Sequence, residues 1–205
     1  MDSFTDKQKI TGVILSGGLS RRMGGQEKAL LKLNGKEMIL HILERLAPQV
    51  NSLIINTNRH IEQYRQFGYP VINDQFGHFD GPLAGIYTAI SHVHSPYLLV
   101  VPCDSPLITN DLVERLYRAL KENSCQMTVA HDGERLQPVF ALLDVRLSTS
   151  LKHYLESGQR KLDRWYEGNG AVTVDFSDAK EMFFNVNTLE ELSALEEKML
   201  SPPEK

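Results

Sequence analysis

Residues 10–28 read I-T-G-V-I-L-S-G-G-L-S-R-R-M-G-G-Q-E-K, and the rest of the fold is read outward from them. The first six positions form a short, β-branched, apolar run of the kind that is buried on both faces of a sheet. Similar runs recur at 53–56 (L-I-I-N) and 97–101 (Y-L-L-V-V). Continuous apolar strands of this kind suit a parallel sheet covered by helices on either side. Between them, Met38, Ile39, Ile42, Leu43 and Leu46 repeat at helical spacing, and so do Leu112, Val113, Leu116, Tyr117 and Leu120. Strands alternating with helices predict an α/β protein with a mostly parallel open sheet and helices on both faces.

The later segments are less regular. Residues 126–131 and 137–143 alternate loosely and are expected to be strands of a mixed sheet, and 183–186 reads as a further short strand. A last helix is expected to begin at Thr188, where Thr188 and Glu191 make the T-x-x-E pattern of a capping box, with Leu189, Leu192, Leu195 and Met199 as its apolar face. Neither an internal repeat nor a low-complexity linker divides the chain, so residues 1–200 are expected to form one domain, with 201–205 as a frayed tail.

Composition narrows the function. A chain of 205 residues can bury a sizeable core without disulfides or structural metal. Its 22 basic and 26 acidic side chains give a net charge of −4, without the basic excess of a general nucleic-acid binder, so any anion site must be a local pocket. Cys103 and Cys125 form no C-x-x-C, which argues against a thiolate zinc site and a disulfide framework. No apolar run approaches the roughly 20 residues of a membrane span, and the polar start is unlike a signal peptide, so a cytoplasmic location is expected. Serine-hydrolase and metalloprotease motifs are missing: there is no G-x-S-x-G and no H-E-x-x-H.

Three segments carry chemistry. The loop after the first strand, from Ser16 to Lys28, contains Gly17, Gly18, Gly24 and Gly25 with Arg21 and Arg22. Glycines let backbone N–H groups approach a ligand closely, and Arg and Lys supply charge for phosphate. It is neither a Walker A motif nor G-x-G-x-x-G, and a solvated surface turn is the other reading. Second, the buried run at 98–101 ends in P-C-D-S-P (102–106), which places Asp104 beyond the carboxyl end of a strand, where α/β crevices lie. One carboxylate that leaves the remaining ligands to water and phosphate is how magnesium is commonly held. The other reading makes Asp104 a cap for a helix starting near Thr109. Third, Asp74 follows the short apolar run at 71–72, and G-P-L-A-G (81–85) opens a helix with Pro82 in its first turn and exposed N–H groups. Gly85 there serves either a ligand or close helix packing.

Taken in order, L-S-G-G-x-S-R-R-M-G-G with Lys28, N-T-N-R (56–59), V-I-N-D (71–74), G-P-L-A-G, P-C-D-S-P, H-D-G-E-R-x-x-P (131–138) and N-V-N-T (185–188) resemble the molybdenum cofactor guanylyltransferase family over nearly the whole chain. The resemblance implies a Rossmann-like nucleotidyltransferase fold. The implied reaction moves GMP from GTP to the terminal phosphate of molybdopterin, with magnesium as cofactor and pyrophosphate as the other product. It also implies roles: Leu15, Ser16, Gly17 and Gly18 near guanine or ribose, Arg22 and Lys28 on phosphates, Asn56 and Asp74 on the nucleotide, Asp104 on the metal, and Asn185 with Asn187 on the pterin side. Molybdenum-cofactor delivery proteins and acceptor molybdoenzymes are the implied protein partners. Ser16 stands where the family commonly has Ala, Glu27 where it often has Asp, and Ser105 where Thr or Met is common.

Other readings stay open. A molybdopterin cytidylyltransferase tends to read L-A-A-G where this chain has L-S-G-G, and sugar-1-phosphate nucleotidyltransferases carry a different loop. A nucleotide-binding regulatory module without catalysis is the alternative outside the enzymes, and the joint presence of Lys28 and Asp104 argues against it.

Overall fold

The computed structural model describes residues 6, 9–17, 27–74 and 81–200. In chain order it forms β1 (Ile10–Leu15), β2 (Lys32–Leu33), β3 (Lys36–Glu37), α1 (Met38–Leu46), β4 (Ser52–Asn56), α2 (Ile61–Arg65), β5 (Val71–Ile72), α3 (Pro82–His92), β6 (Tyr97–Pro102), α4 (Leu112–Glu122), β7 (Met127–His131), β8 (Leu136–Asp144), α5 (Ser148–Glu156), α6 (Leu162–Gly168), β9 (Val172–Asp175) and α7 (Leu189–Leu200). Seven strands make one sheet in the order β5-β4-β1-β6-β8-β7-β9. Only β8 runs against its neighbours; β5, β4, β1 and β6 are parallel to one another, as are β7 and β9. The sheet is therefore mostly parallel, as its apolar strands predict.

Alternation along the strands divides the core in two. Ile10 and Ile14 of β1, Leu53 and Ile55 of β4, and Leu99 and Val101 of β6 pack against α1 and α4. Val13 and Leu15, Ile54, and Leu98 and Val100 point the other way, onto α3, α5 and α6. This is the period-two geometry of a strand with both faces covered. A third, smaller cluster joins Leu33 and Met38 to Val186, Leu192 and Leu195, and so docks α7 beside the β2-β3 hairpin. That hairpin turns at Asn34 and Gly35, both with positive φ (51° and 79°), the conformation an Asn-Gly pair adopts readily between two strands.

Two expected features differ. Residues 183–186 are not a strand: a run of 3-10 turns occupies Ser177–Phe183, and the chain then crosses the carboxyl ends of the strands with a single ladder-like bond, from Val186 N–H to Asp104 O at 2.9 Å. Phe183 is drawn instead into the core, edge-on to Phe140 and Phe176, and that packing overrides the strand preference of F-F-N-V. The helix after Asp104 begins at Leu112 with Asp111 as its N-cap residue, so Asp104 does not cap it. The expected tail, 201–205, lies outside the described residues.

One buried polar side chain ties the two helices of the first layer together. Gln49, on a 3-10 turn after α1, accepts from Val113 N–H (3.1 Å) at the start of α4 and donates to Thr109 O and Arg45 O (2.8 Å each). It supplies a partner to an N–H that a helix start leaves without one. Gln49→Met keeps the volume and strands these groups in the core, and is expected to cost on the order of 2 kcal/mol of stability. Urea denaturation measures it; a midpoint equal to wild type would mean that water takes over all three bonds.

Candidate nucleotide site

Parallel pairing lines up the carboxyl ends of four strands. Leu15 lies level with Asn56 on one side and Pro102 on the other, and Asn56 lies level with Ile72. The residues that follow each strand, Ser16 and Gly17, Thr57 and Asn58, Asn73 and Asp74, Cys103 and Asp104, therefore share one edge of the sheet. Such an edge is where an α/β crevice forms. Gly17 is exposed there, with open space where a side chain would stand. Gly18 and Arg22 lie outside the described residues.

The charged centre is built from three distant parts of the chain. Lys28 Nζ stands 3.4 Å from Asp104 Oδ2 and donates to Asn187 Oδ1 at 2.5 Å. Ser105 Oγ donates to Asn185 Oδ1 at 2.5 Å. Asn185 and Asn187 thus both bond to residues at the strand-end edge, although no strand places them there. The capping box fixes Asn187 instead: Glu191 Oε2 accepts from Asn187 N–H and Thr188 N–H, and Thr188 Oγ1 accepts from Glu191 N–H. Both members of the ion pair are mostly shielded, each side chain 19% exposed. Burial pushes the Asp104 carboxyl above its ordinary value, while Lys28 pulls the other way. Neighbouring Cys103 is pushed up to about 12 by burial and by the Asp104 charge, so its thiol stays protonated and offers no nucleophile.

On the other flank, Asp74 is fully engaged. Its two carboxylate oxygens accept from Asn56 Nδ2 (2.9 Å) and Asn58 Nδ2 (2.8 Å), and its own N–H reaches Asn58 Oδ1 (2.8 Å). Asn56 is buried and Asp74 partly so. Gly81, with φ of 101°, is the N-cap residue of α3, and Pro82 occupies the first turn. Leu15 is buried and packs against α3, so its side chain faces the helix.

Ser16 is also buried. Its hydroxyl bonds to Tyr64 Oη and reaches Glu27 Oε1 at 3.3 Å, and its N–H donates to Asn56 O at 2.8 Å. Its side chain therefore faces the interior, toward Tyr64 and Glu27. Asn58, Ser105, Glu27 and Tyr64 bond to or beside these residues and are not marked as site candidates by the sequence. Asn58 and Ser105 lay inside recognised motifs; nothing in the spacing around Tyr64 marks it. Among the described residues no cluster of three His, Cys, Asp or Glu could cage a metal. What the arrangement offers is a lysine, a shielded carboxylate and amide groups facing one crevice, which suits phosphate chemistry in which positioning and charge do the work.

Gly85 decides how closely α3 approaches this edge. A Cβ there would stand 2.5 Å from Asn56 Oδ1 and 3.0 Å from Leu15 Cδ2. Gly85→Ala gains up to about 1 kcal/mol of helix propensity, but crowding typically costs ~1–3 kcal/mol and here also displaces Asn56 from Asp74. A net loss of stability is expected in thermal denaturation, and a raised melting temperature would show that Asn56 can step aside freely.

The comparisons with known proteins agree with this geometry. Residues 12–172 match the model of the MobA-like NTP transferase domain. A molybdenum cofactor guanylyltransferase of Shewanella sp. (strain MR-4) is 49% identical over 91% of this chain and 95% of its own length. That of Shewanella loihica is 47% identical over 92% and 96%. Among solved structures, molybdopterin-guanine dinucleotide biosynthesis protein A from Archaeoglobus fulgidus superposes with a TM-score of 0.76 over 92% of this chain and 98% of that one, at 24% identity, a likeness of fold. With the strand-end edge, the Lys28–Asp104 centre and these matches together, the chain belongs to the molybdenum cofactor guanylyltransferase family of nucleotidyltransferases.

Proposed function

We propose that this protein transfers GMP from GTP to the terminal phosphate of molybdopterin, releasing pyrophosphate. The observation that carries the reading is the meeting of Lys28 and Asp104, 76 residues apart, at the strand-end edge of a fold whose relatives bear this activity in their names. An oxygen of the acceptor phosphate attacks the α-phosphorus of GTP, and the bond from that phosphorus to the bridging oxygen of the β-phosphate breaks. The acceptor is a phosphate monoester, already ionised near neutral pH, so no general base is needed. This agrees with a site without histidine among the residues assigned to it.

Lys28, with Arg22 from the loop, neutralises charge on the triphosphate as pyrophosphate leaves. Leu15, Ser16, Gly17 and Gly18 bring the loop backbone to the base and ribose, while Asn56 and Asp74 form the nucleotide flank. Asn185 and Asn187 take the molybdopterin side. Asp104 would hold magnesium: it offers one shielded carboxylate oxygen donor, a ligand type that suits this ion when phosphate and water fill the remaining positions. A bound magnesium ion supplies positive charge to the phosphate oxygens. Delivery proteins that bring molybdopterin and acceptor molybdoenzymes that take the dinucleotide are the partners this reaction calls for. A reducing cytoplasm suits the two free thiols, Cys103 and Cys125.

The test is purified protein with molybdopterin, magnesium and either GTP or CTP, assayed for dinucleotide and pyrophosphate. Turnover with GTP is expected; turnover with CTP alone would make it a cytidylyltransferase, and tight GTP binding without turnover a regulatory module. Asp104→Asn is expected to lower kcat on the order of a hundredfold or more with the fold retained by circular dichroism. Full activity at limiting magnesium would remove Asp104 from the metal.

Asn187 carries a separate expectation, because its amide oxygen rests on Lys28. Asn187→Ala should weaken use of both substrates, with kcat/KM for GTP falling roughly tenfold through the freed lysine. A change confined to the KM for molybdopterin would show that Asn187 serves the acceptor alone.

A further inference from the structure

Beneath the site, Ser16, Glu27 and Tyr64 form a largely shielded hydrogen-bonded cluster, and the reaction assigns no role to Glu27 or Tyr64 or to the Ser16 hydroxyl. Ser16 precedes the glycine-rich loop and Glu27 follows it. Although 11 residues apart, their side chains approach closely, with Ser16 Oγ 3.3 Å from Glu27 Oε1. The Tyr64 hydroxyl donates to the same Oε1 at 3.1 Å and accepts a short bond from the single hydrogen of Ser16 Oγ, so the three side chains form a relay from Ser16 through Tyr64 to Glu27. Tyr64 itself is fully buried on α2, in the core cluster that holds Ile10, Ile14 and Ile55, with its ring edge-on to Phe67. Burying a hydroxyl costs free energy that a phenylalanine would avoid, so the site of its bonds needs a reason.

We infer that Tyr64, with Ser16 and Glu27, is a positioning device for Lys28: it fastens both ends of the loop to the sheet and so fixes where the lysine enters the crevice. Glu27 is the residue immediately before Lys28 and the N-cap residue of the 3-10 turn Lys28–Leu30. A carboxylate held at Oε1 by the Tyr64 hydroxyl, itself braced by Ser16, holds its own backbone, and with it the lysine stem. The far end of the same side chain is held by Asp104 and Asn187. Lysine has a flexible four-carbon stem and loses much rotamer freedom when it must hold one place, so anchorage at its root as well as its tip lowers the cost of readiness. Desolvation raises the Tyr64 phenol well above its ordinary value, which keeps it a proton donor throughout the pH range of use. Tyr64 touches no reacting atom; its effect passes through Glu27 to Lys28.

The inference rests on the phosphate role of Lys28 proposed above, and a double-mutant cycle on the full chain separates the two. With molybdopterin and magnesium saturating, Tyr64→Phe is expected to lower kcat/KM for GTP about tenfold in the wild-type background and to have no further effect in Lys28→Ala, because the lysine it positions is gone. The same fractional loss in both backgrounds, or no loss in the wild type, would overturn the inference and leave the reaction assignment standing. A fully active Lys28→Ala would overturn that assignment and this inference with it. Should Tyr64→Phe fail to fold, the Glu27 pair decides: Glu27→Gln keeps an acceptor at Oε1 and is expected to recover most of what Glu27→Ala loses, whereas equal kcat/KM in the two variants, at any level, would speak against the device.

Discussion

The site depends on the register of β1 between β4 and β6. Leu15 level with Asn56 and Pro102 is what brings Ser16, Asp74 and Asp104 to one edge. Burial on both faces enforces it. A slip of one residue would carry Ile10 and Ile14 to the α3 side and Val13 and Leu15 to the α1 side, reversing both core faces at once. It would also move the start of the loop relative to Asp104 by about 3.3 Å, more than a hydrogen bond tolerates. Packing energy in the core is thus what aligns polar groups at the rim.

Electrostatics then work locally in a chain whose net charge is negative. Shielding Asp104 from water is unfavourable for its charge, and the nearby Lys28 ammonium offsets that. The C-terminal helix contributes without reaching into the crevice. Its capping box uses Glu191 to hold the Asn187 and Thr188 N–H groups, and its apolar face docks on Leu33 and Met38. An ordinary helix start therefore fixes an amide that holds Lys28.

Much of this was legible along the chain because it is local. The strands at Ile10–Leu15, Ser52–Asn56 and Tyr97–Pro102, the amphipathic faces of Met38–Leu46 and Leu112–Glu122, and the Thr188–Glu191 box follow from period, branching and capping within a dozen residues. The Asn34-Gly35 pair carries the same kind of local signal for the β2-β3 hairpin. Asp104 and Lys28 were legible as chemistry, since each stands where a buried strand or a glycine-rich loop ends.

By itself, then, the sequence determined the α/β class, the strand-end positions of the polar groups and the family, because apolar periodicity and ordered motifs are written in neighbouring residues. Only the tertiary structure decided that 183–186 leaves the sheet for the aromatic core, that Ser16 turns inward, and that Asn187 rests on Lys28 across 159 residues. Nor could any local pattern assign Tyr64 to Ser16 and Glu27, 48 and 37 residues away. Contacts of that kind form because separate elements compete for the same buried space and the same few hydrogen-bond partners. That competition is settled only when the layers pack.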